Sequence, residues 1–128
     1  MPTPYWERIL DHYQHPRHWG HLETPDRVGE AENPLCGDRV RVELRLNGKR
    51  VIADVAFSGE GCVIALAAAS MLAEHVRGRP LEEVPRISEA DVAALLGMDL
   101  RPARRACARV ALEALQAAMT NDKMTNDQ

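Results

Sequence analysis

Aromatic residues are scarce: one Phe, two Trp and two Tyr in 128 residues. A core must therefore come from Ala, Val and Leu, packed at close range rather than filled with rings. Long apolar runs are missing as well. None approaches the ~18 residues that a membrane-spanning helix needs, so no membrane partner is expected. An excess of positive charge is also absent. The formal net charge is -3 and the pI about 5.9, which argues against a nucleic-acid binder that works by neutralising phosphates. The N-terminal residues Met1-Pro-Thr-Pro-Tyr-Trp-Glu-Arg8 lack a basic region followed by an apolar run. The expected location is therefore the cytoplasm, a reducing compartment. Cysteine is rare and odd in number, with only Cys36, Cys62 and Cys107, which excludes a disulfide framework. What is present is an ordinary globular balance, 45% hydrophobic and 27% charged, at the length of one domain. We expect a single domain over residues 1–119 and a flexible polar tail over 120–128.

Periodicity places the elements. Trp6, Ile9, Leu10 and Tyr13 recur at helical spacing within a helix over about 5–14 that Pro16 ends. Residues 16–34 are polar and broken by Gly20, Pro25 and Gly29, and read as a loop with an edge strand near 27–31. Arg39–Leu46 alternates strictly, with Val40, Val42, Leu44 and Leu46 on one face and charges on the other. Asn47-Gly48 suits a type I′ turn into a second strand over about 50–58. There Val51, Ala53, Val55 and Phe57 would face the core. The charged outer face predicts a sheet covered on one side. Gly59-Glu60-Gly61 breaks that strand, and 62–76 is an Ala-rich helix, apolar nearly all round. A turn of helix is expected at 81–84. Ser88-Glu-Ala-Asp91 reads as a capping box before Val92–Leu96, and Pro102 opens a last helix over 103–119.

The cysteines carry the chemical signal. Cys36 lies in Asn33-Pro-Leu-Cys-Gly-Asp38, a turn that presents a thiol and a carboxylate together. Cys62 follows Gly59-Glu-Gly61 at a helix N-terminus, where unpaired N–H groups favour thiolate. Cys107 lies near the start of the last helix on its apolar face. Any one of these thiols is also credible as a small core hydrophobe. Together with Asp38 they form a tetrahedral set for zinc, and thiolates equally suit iron–sulfur clusters. The spacing, C-x-D, 23 residues, C, 44 residues, C, matches no standard zinc finger.

The pieces His12-Tyr13-x-x-Pro16-Arg17-x-x-Gly20, Asn33-Pro34-x-Cys36-Gly37-Asp38, Gly59-x-Gly61-Cys62-x-Ile64, Ala69-Ser70-Met71 and Pro102-Ala103-Arg104-x-x-Cys107 occur in one order over residues 5–118. In this the chain resembles the U-type iron–sulfur assembly proteins: IscU, SufU and the N-terminal domain of NifU. The resemblance implies an α+β fold, a small, mostly antiparallel three-stranded sheet with helices packed on one face. It implies metal ligation by Cys36, Asp38, Cys62 and Cys107, and a cysteine desulfurase of the SufS or IscS type as partner, with downstream iron–sulfur assembly or acceptor proteins. Two branches are implied. One is a zinc-bound sulfur acceptor (SufU), with Cys36 receiving the sulfur; the other is a scaffold for a transient [2Fe–2S] cluster (IscU). Ala106 stands where IscU has His, and Leu100-Arg-Pro-Ala-Arg104 replaces the IscU chaperone-recognition stretch. Both favour the SufU branch. The short interval between Cys62 and Cys107 favours the other, since SufU carries an insertion there. The site residues outweigh the loop length, because loops tolerate deletion.

Other residues read blandly. His12, His15, His18 and His21 recur every three residues, but Pro16 and Gly20 break any common face, so a second metal site is not expected. Arg39, Arg41 and Arg45 read as a solvated sheet face or one that meets an acidic partner, and Arg104 as a surface charge at a helix start or a candidate partner contact. Ser58, Ser70 and Ser88 have no hydrolase context. A purely structural zinc domain is the alternative from another class. A zinc hydrolase or deaminase lacks its motifs.

Overall fold

A computed structural model describes residues 4–34, 37–97 and 102–120. The order is α1 (Pro4–Gln14), β1 (Arg27–Asn33), β2 (Asp38–Leu46), β3 (Ile52–Glu60), α2 (Val63–Val76), a 3-10 helix (Leu81–Arg86), α3 (Glu89–Leu96) and α4 (Pro102–Thr120). The strands form one antiparallel sheet in the order β1-β2-β3. The expected α+β class and three-stranded sheet are thus observed. The expected tail lies outside the described residues beyond 120. No helix among the described residues is long and apolar enough to cross a membrane.

One sheet face buries Val40, Val42, Leu44, Val55 and Phe57 beneath α2 and α4. Alanines do much of the packing: Ala65, Ala67, Ala68 and Ala69 of α2 and Ala111, Ala114 and Ala118 of α4 are all buried. Small side chains let these helices approach the sheet closely. At Gly29 of β1 the approach is closest, since a Cβ there would meet Ala114 O and Ala118 N at 2.2 Å. Arg27 adds a bond from Nη1 to Met119 O at 2.8 Å, capping the end of α4. α1 packs chiefly on α2.

Three expectations are corrected. The β2–β3 turn is not type I′: Arg50, at φ 59°, takes the left-handed conformation, while Asn47 and Gly48 keep negative φ. Asn47 accounts for this. Its Oδ1 accepts from the N–H groups of Lys49 (2.8 Å) and Val51 (3.1 Å), and its carbonyl accepts from Arg50 N–H at 3.1 Å. The extra residues create a register shift at Arg45/Leu46, where Arg45 pairs with Asp54 and Leu46 with Ile52. Ile52 is therefore fully buried, and Val51 and Ala53 are not. Finally, the outer face of the sheet is not bare. Residues 18–26 cross it and cover Glu43 and Ala56. On the way, Trp19 bridges to Phe57, with Phe57 N–H donating to His18 O and Gly20 N–H to Phe57 O.

Elsewhere sequence and structure agree closely. The strand expected near 27–31 extends to Asn33. Ser88 and Asp91 form the reciprocal capping box, and Gly97 ends α3 at φ 76°.

Candidate metal centre

Asp38 opens β2 and pairs with Asn33 across the turn. Its carboxylate is turned inward and only 1% exposed. Cys62 is the N-cap of α2, and its Sγ accepts from Ala65 N–H at 3.4 Å. An N-cap position exists here because Gly59 and Gly61, at φ 149° and 157°, turn the chain from β3 into the helix. The Cys62 N–H donates to Asp38 Oδ1 at 2.9 Å, which ties the strand to the helix start. Cys107 sits in the second turn of α4, slightly deeper than expected, on the buried face with Val110, Ala111, Ala114 and Ala118. One carboxylate oxygen of Asp38 and the sulfurs of Cys62 and Cys107 all lie within 4.8 Å of one another. Cys62 and Cys107 are not joined in a disulfide.

Asp38 Oδ2 is buried and has no hydrogen-bond partner among the described residues. An unsatisfied buried carboxylate oxygen costs stability unless a cation meets it. Cys107 leans the same way. Burial first, then the neighbouring Cys62 and Asp38 side chains, push its thiol well above the ordinary range. A cation between these groups would reverse that shift, because a coordinating thiol loses its proton. Bonds of about 2.0–2.3 Å to a tetrahedral zinc place ligand atoms roughly 3.3–3.8 Å apart, within reach of the observed cluster by small side-chain rotations. The donor set, two soft sulfurs and one oxygen, fits zinc or iron with thiolate ligands.

Gly61 belongs to this centre for a reason that sequence reading did not supply. A Cβ there would meet Asp38 Oδ1 at 2.6 Å, so the missing side chain makes the space the carboxylate occupies. Of the expected site residues, Asp38, Cys62 and Cys107 come together. Cys36 lies outside the described residues. Gly37, beside it, has φ 73° and open space where a Cβ would stand. Arg104 is exposed one turn before Cys107.

The four histidines do not share a site. His12 is buried between α1 and α2, with Nδ1 2.7 Å from Ser70 Oγ and Nε2 3.6 Å from Glu74. The same Ser70 hydroxyl accepts from Arg17 N–H at 2.9 Å. Burial, reinforced by Arg17, pushes His12 below its ordinary value, with Glu74 opposing. His21 instead joins Glu43 at 2.7 Å.

Comparison with known proteins follows the same lines. The family of NifU-like N terminal domains matches residues 4–128. The bifunctional protein NifU/MnmA of Rubrobacter xylanophilus is 39% identical over 118 residues, 92% of this chain but only 24% of that protein. The zinc-dependent sulfurtransferase SufU of Bacillus subtilis is 32% identical over 143 residues, covering 98% of this chain and 96% of its own. The iron–sulfur cluster assembly scaffold protein IscU of Aquifex aeolicus is 38% identical over 120 residues, covering 93% and 76%. In fold, the chain is similar to the N-terminal part of a NifU-like protein from Brucella abortus, with a TM-score of 0.71 at 21% identity, covering 88% of this chain and 90% of that one.

Proposed function

This chain belongs to the NifU-like N terminal domain family, and from that premise we propose that it is an iron–sulfur cluster assembly protein that carries sulfur. In this reading Cys36, Asp38, Cys62 and Cys107 hold zinc, and Cys36 receives sulfane sulfur from a cysteine desulfurase. The observation that carries it is the buried, unpartnered Asp38 Oδ2 beside two cysteine sulfurs. Bound zinc would keep the thiols deprotonated and protected.

The chain's residues divide the remaining work. Cys62 is fixed by the N-terminus of α2 and Cys107 by the apolar face of α4. Cys36 is neighboured by Gly37, where no side chain blocks a partner. Its thiolate attacks the terminal sulfur of the desulfurase persulfide. A new S–S bond forms on Cys36, the old one breaks, and the desulfurase cysteine leaves as thiolate. Downstream assembly or acceptor proteins then take the sulfur. Arg104 is a contact for the partner. Working thiols of this kind belong in a reducing compartment, which supports the cytoplasm.

The test is single Cys→Ala variants with a desulfurase and cysteine, compared at matched metal content, with the persulfide located by mass spectrometry. Persulfide on Cys36 of the wild type is expected. Persulfide on Cys107 with Cys36→Ala fully active overturns the acceptor assignment. No sulfur uptake by any form makes the metal a structural staple.

One observation favours the scaffold reading. The SufU alignment, at 143 residues, is longer than this chain, so that relative carries residues lacking here, whereas the IscU alignment runs over 120. Reconstitution with ferrous iron, cysteine and desulfurase separates the two: a [2Fe–2S] absorption spectrum that persists on the protein supports the scaffold.

A further inference from the structure

Cys62 and Cys107 stand in an arrangement with a second use. Their sulfurs lie within 4.8 Å of each other, with Asp38 beside both. A disulfide needs about 2.05 Å, so one or both side chains must rotate and the backbone must give slightly. Rotation of the Cys62 side chain supplies that movement: its backbone is held by α2 and by Asp38, whereas its sulfur accepts a long bond, from Ala65 N–H at 3.4 Å, that a change of rotamer gives up. Access differs between the two: Cys62 is half-buried, whereas Cys107 is 7% exposed. A small oxidant in solvent therefore meets Cys62 first, with Cys107 behind it as the resolving thiol.

We propose that Cys62 and Cys107 form a reversible intramolecular disulfide under peroxide, which empties the metal centre and marks the protein as inactive until it is reduced. The inference rests on the reading of these residues as metal ligands, since the same two sulfurs cannot serve both purposes. The chemistry balances with one hydrogen peroxide. The Cys62 sulfur attacks a peroxide oxygen, the O–O bond breaks, and Cys62 sulfenic acid and one water result. The Cys107 sulfur then attacks the Cys62 sulfur, and the S–S bond forms as the S–O bond breaks. The hydroxyl leaves as a second water with the Cys107 proton. The two thiols give up two electrons and the peroxide accepts them. A dithiol reductant reverses the step.

The experiment uses the full-length chain, reduced, in zinc-loaded and chelator-stripped forms, treated with hydrogen peroxide and then blocked with a thiol alkylator. The chain has three cysteines, so three adducts before treatment should fall to one, and dithiothreitol should restore three. Peptide mapping should find Cys62 linked to Cys107, and Cys36→Ser should form the same link. Zinc should slow the reaction at least tenfold, with zinc release and thiol loss in step. A link through Cys36, covalent dimers, or sulfinic acid without any disulfide overturns the proposal. Zinc binding is measured separately on reduced protein against a chromophoric chelator. Failure to bind zinc with the link still formed sinks the metal reading and leaves the disulfide standing. Tight zinc binding with no link sinks the disulfide alone.

Discussion

Two buried carboxylates on the same strand have opposite surroundings. Glu43 is 2% exposed and fully served: His21 Nδ1 at 2.7 Å, Leu22 N–H at 2.8 Å and Arg41 Nε at 2.9 Å all meet it. Burial alone would raise its carboxyl, but these partners together hold it below the ordinary carboxylate value. Asp38, five residues earlier and 1% exposed, accepts one N–H on one oxygen, and the other has no hydrogen-bond partner among the described residues. A satisfied buried carboxylate is a structural pin, here fastening residues 18–26 to the sheet. An unsatisfied one beside two sulfurs costs stability that a bound cation would return. Burial does not separate these two roles, whereas a count of partners does.

The sharpest test of that difference is metal affinity. Asp38→Ala, Cys62→Ala and Cys107→Ala should each weaken zinc binding by more than about 100-fold, beyond what loss of an outer-shell partner costs. Glu43→Ala should leave it unchanged. Competition with a chromophoric chelator measures both, and an effect of Glu43→Ala equal to that of Asp38→Ala would erase the distinction. Stability of the metal-free protein should show the reverse order. Glu43→Ala strands Arg41, His21 and the Leu22 N–H and should lose about 2–3 kcal/mol in urea, below the full cost of breaking a buried pair because Arg41 and His21 are partly exposed. Asp38→Ala should change stability by about 1 kcal/mol or less. Next in size is Gly61→Ala, whose Cβ would push on Asp38 Oδ1 from 2.6 Å. A loss of about tenfold in zinc affinity is expected, and unchanged affinity would show that the carboxylate can move aside freely.

The smallest effects are those of pH. Glu43 has a folded value below 4.5, so its contribution is complete above about pH 4.5 and is lost as pH falls through the depressed value. Glu43→Gln should remove that part of the acid limb. His12 has a folded value below 6.5, and the unfolded chain binds its proton first. Its neutral, buried ring therefore contributes stability above about pH 6.5 that is lost as pH falls through the folded value. Urea midpoints of wild type and His12→Gln between pH 7 and 5 should converge on acidification; parallel curves would place the titration elsewhere.

The sheet, the helices and the three candidate residues that come together, Asp38, Cys62 and Cys107, were legible because each leaves a local signature. Alternation from Arg39 to Leu46, the Ala-rich run before Gly78, and Gly-x-Gly before Cys62 are all short-range patterns. What was not legible depends on distance or on a break in period. The bulge opposite Arg45 and Leu46 moves Ile52 into the core by shifting the phase of β3, and alternation cannot reveal its own interruption. Ser70 holds both His12 and Arg17 from 58 and 53 residues away, which no spacing rule connects. The Gly61 cradle was visible as a motif, but its purpose depends on Asp38 arriving from another strand.

The contact of α4 with Gly29 has a consequence for synthesis. The helix that lies on the first strand leaves the ribosome some 70–90 residues after its resting place has been made. Until then the sheet's apolar face and α2 stand uncovered on one side. The cluster of Asp38 and Cys62 is short of Cys107 for the same interval. The lid and the third member of the cluster travel on one helix, so a nascent chain stalled before α4 holds neither a closed core nor the assembled Asp38, Cys62 and Cys107.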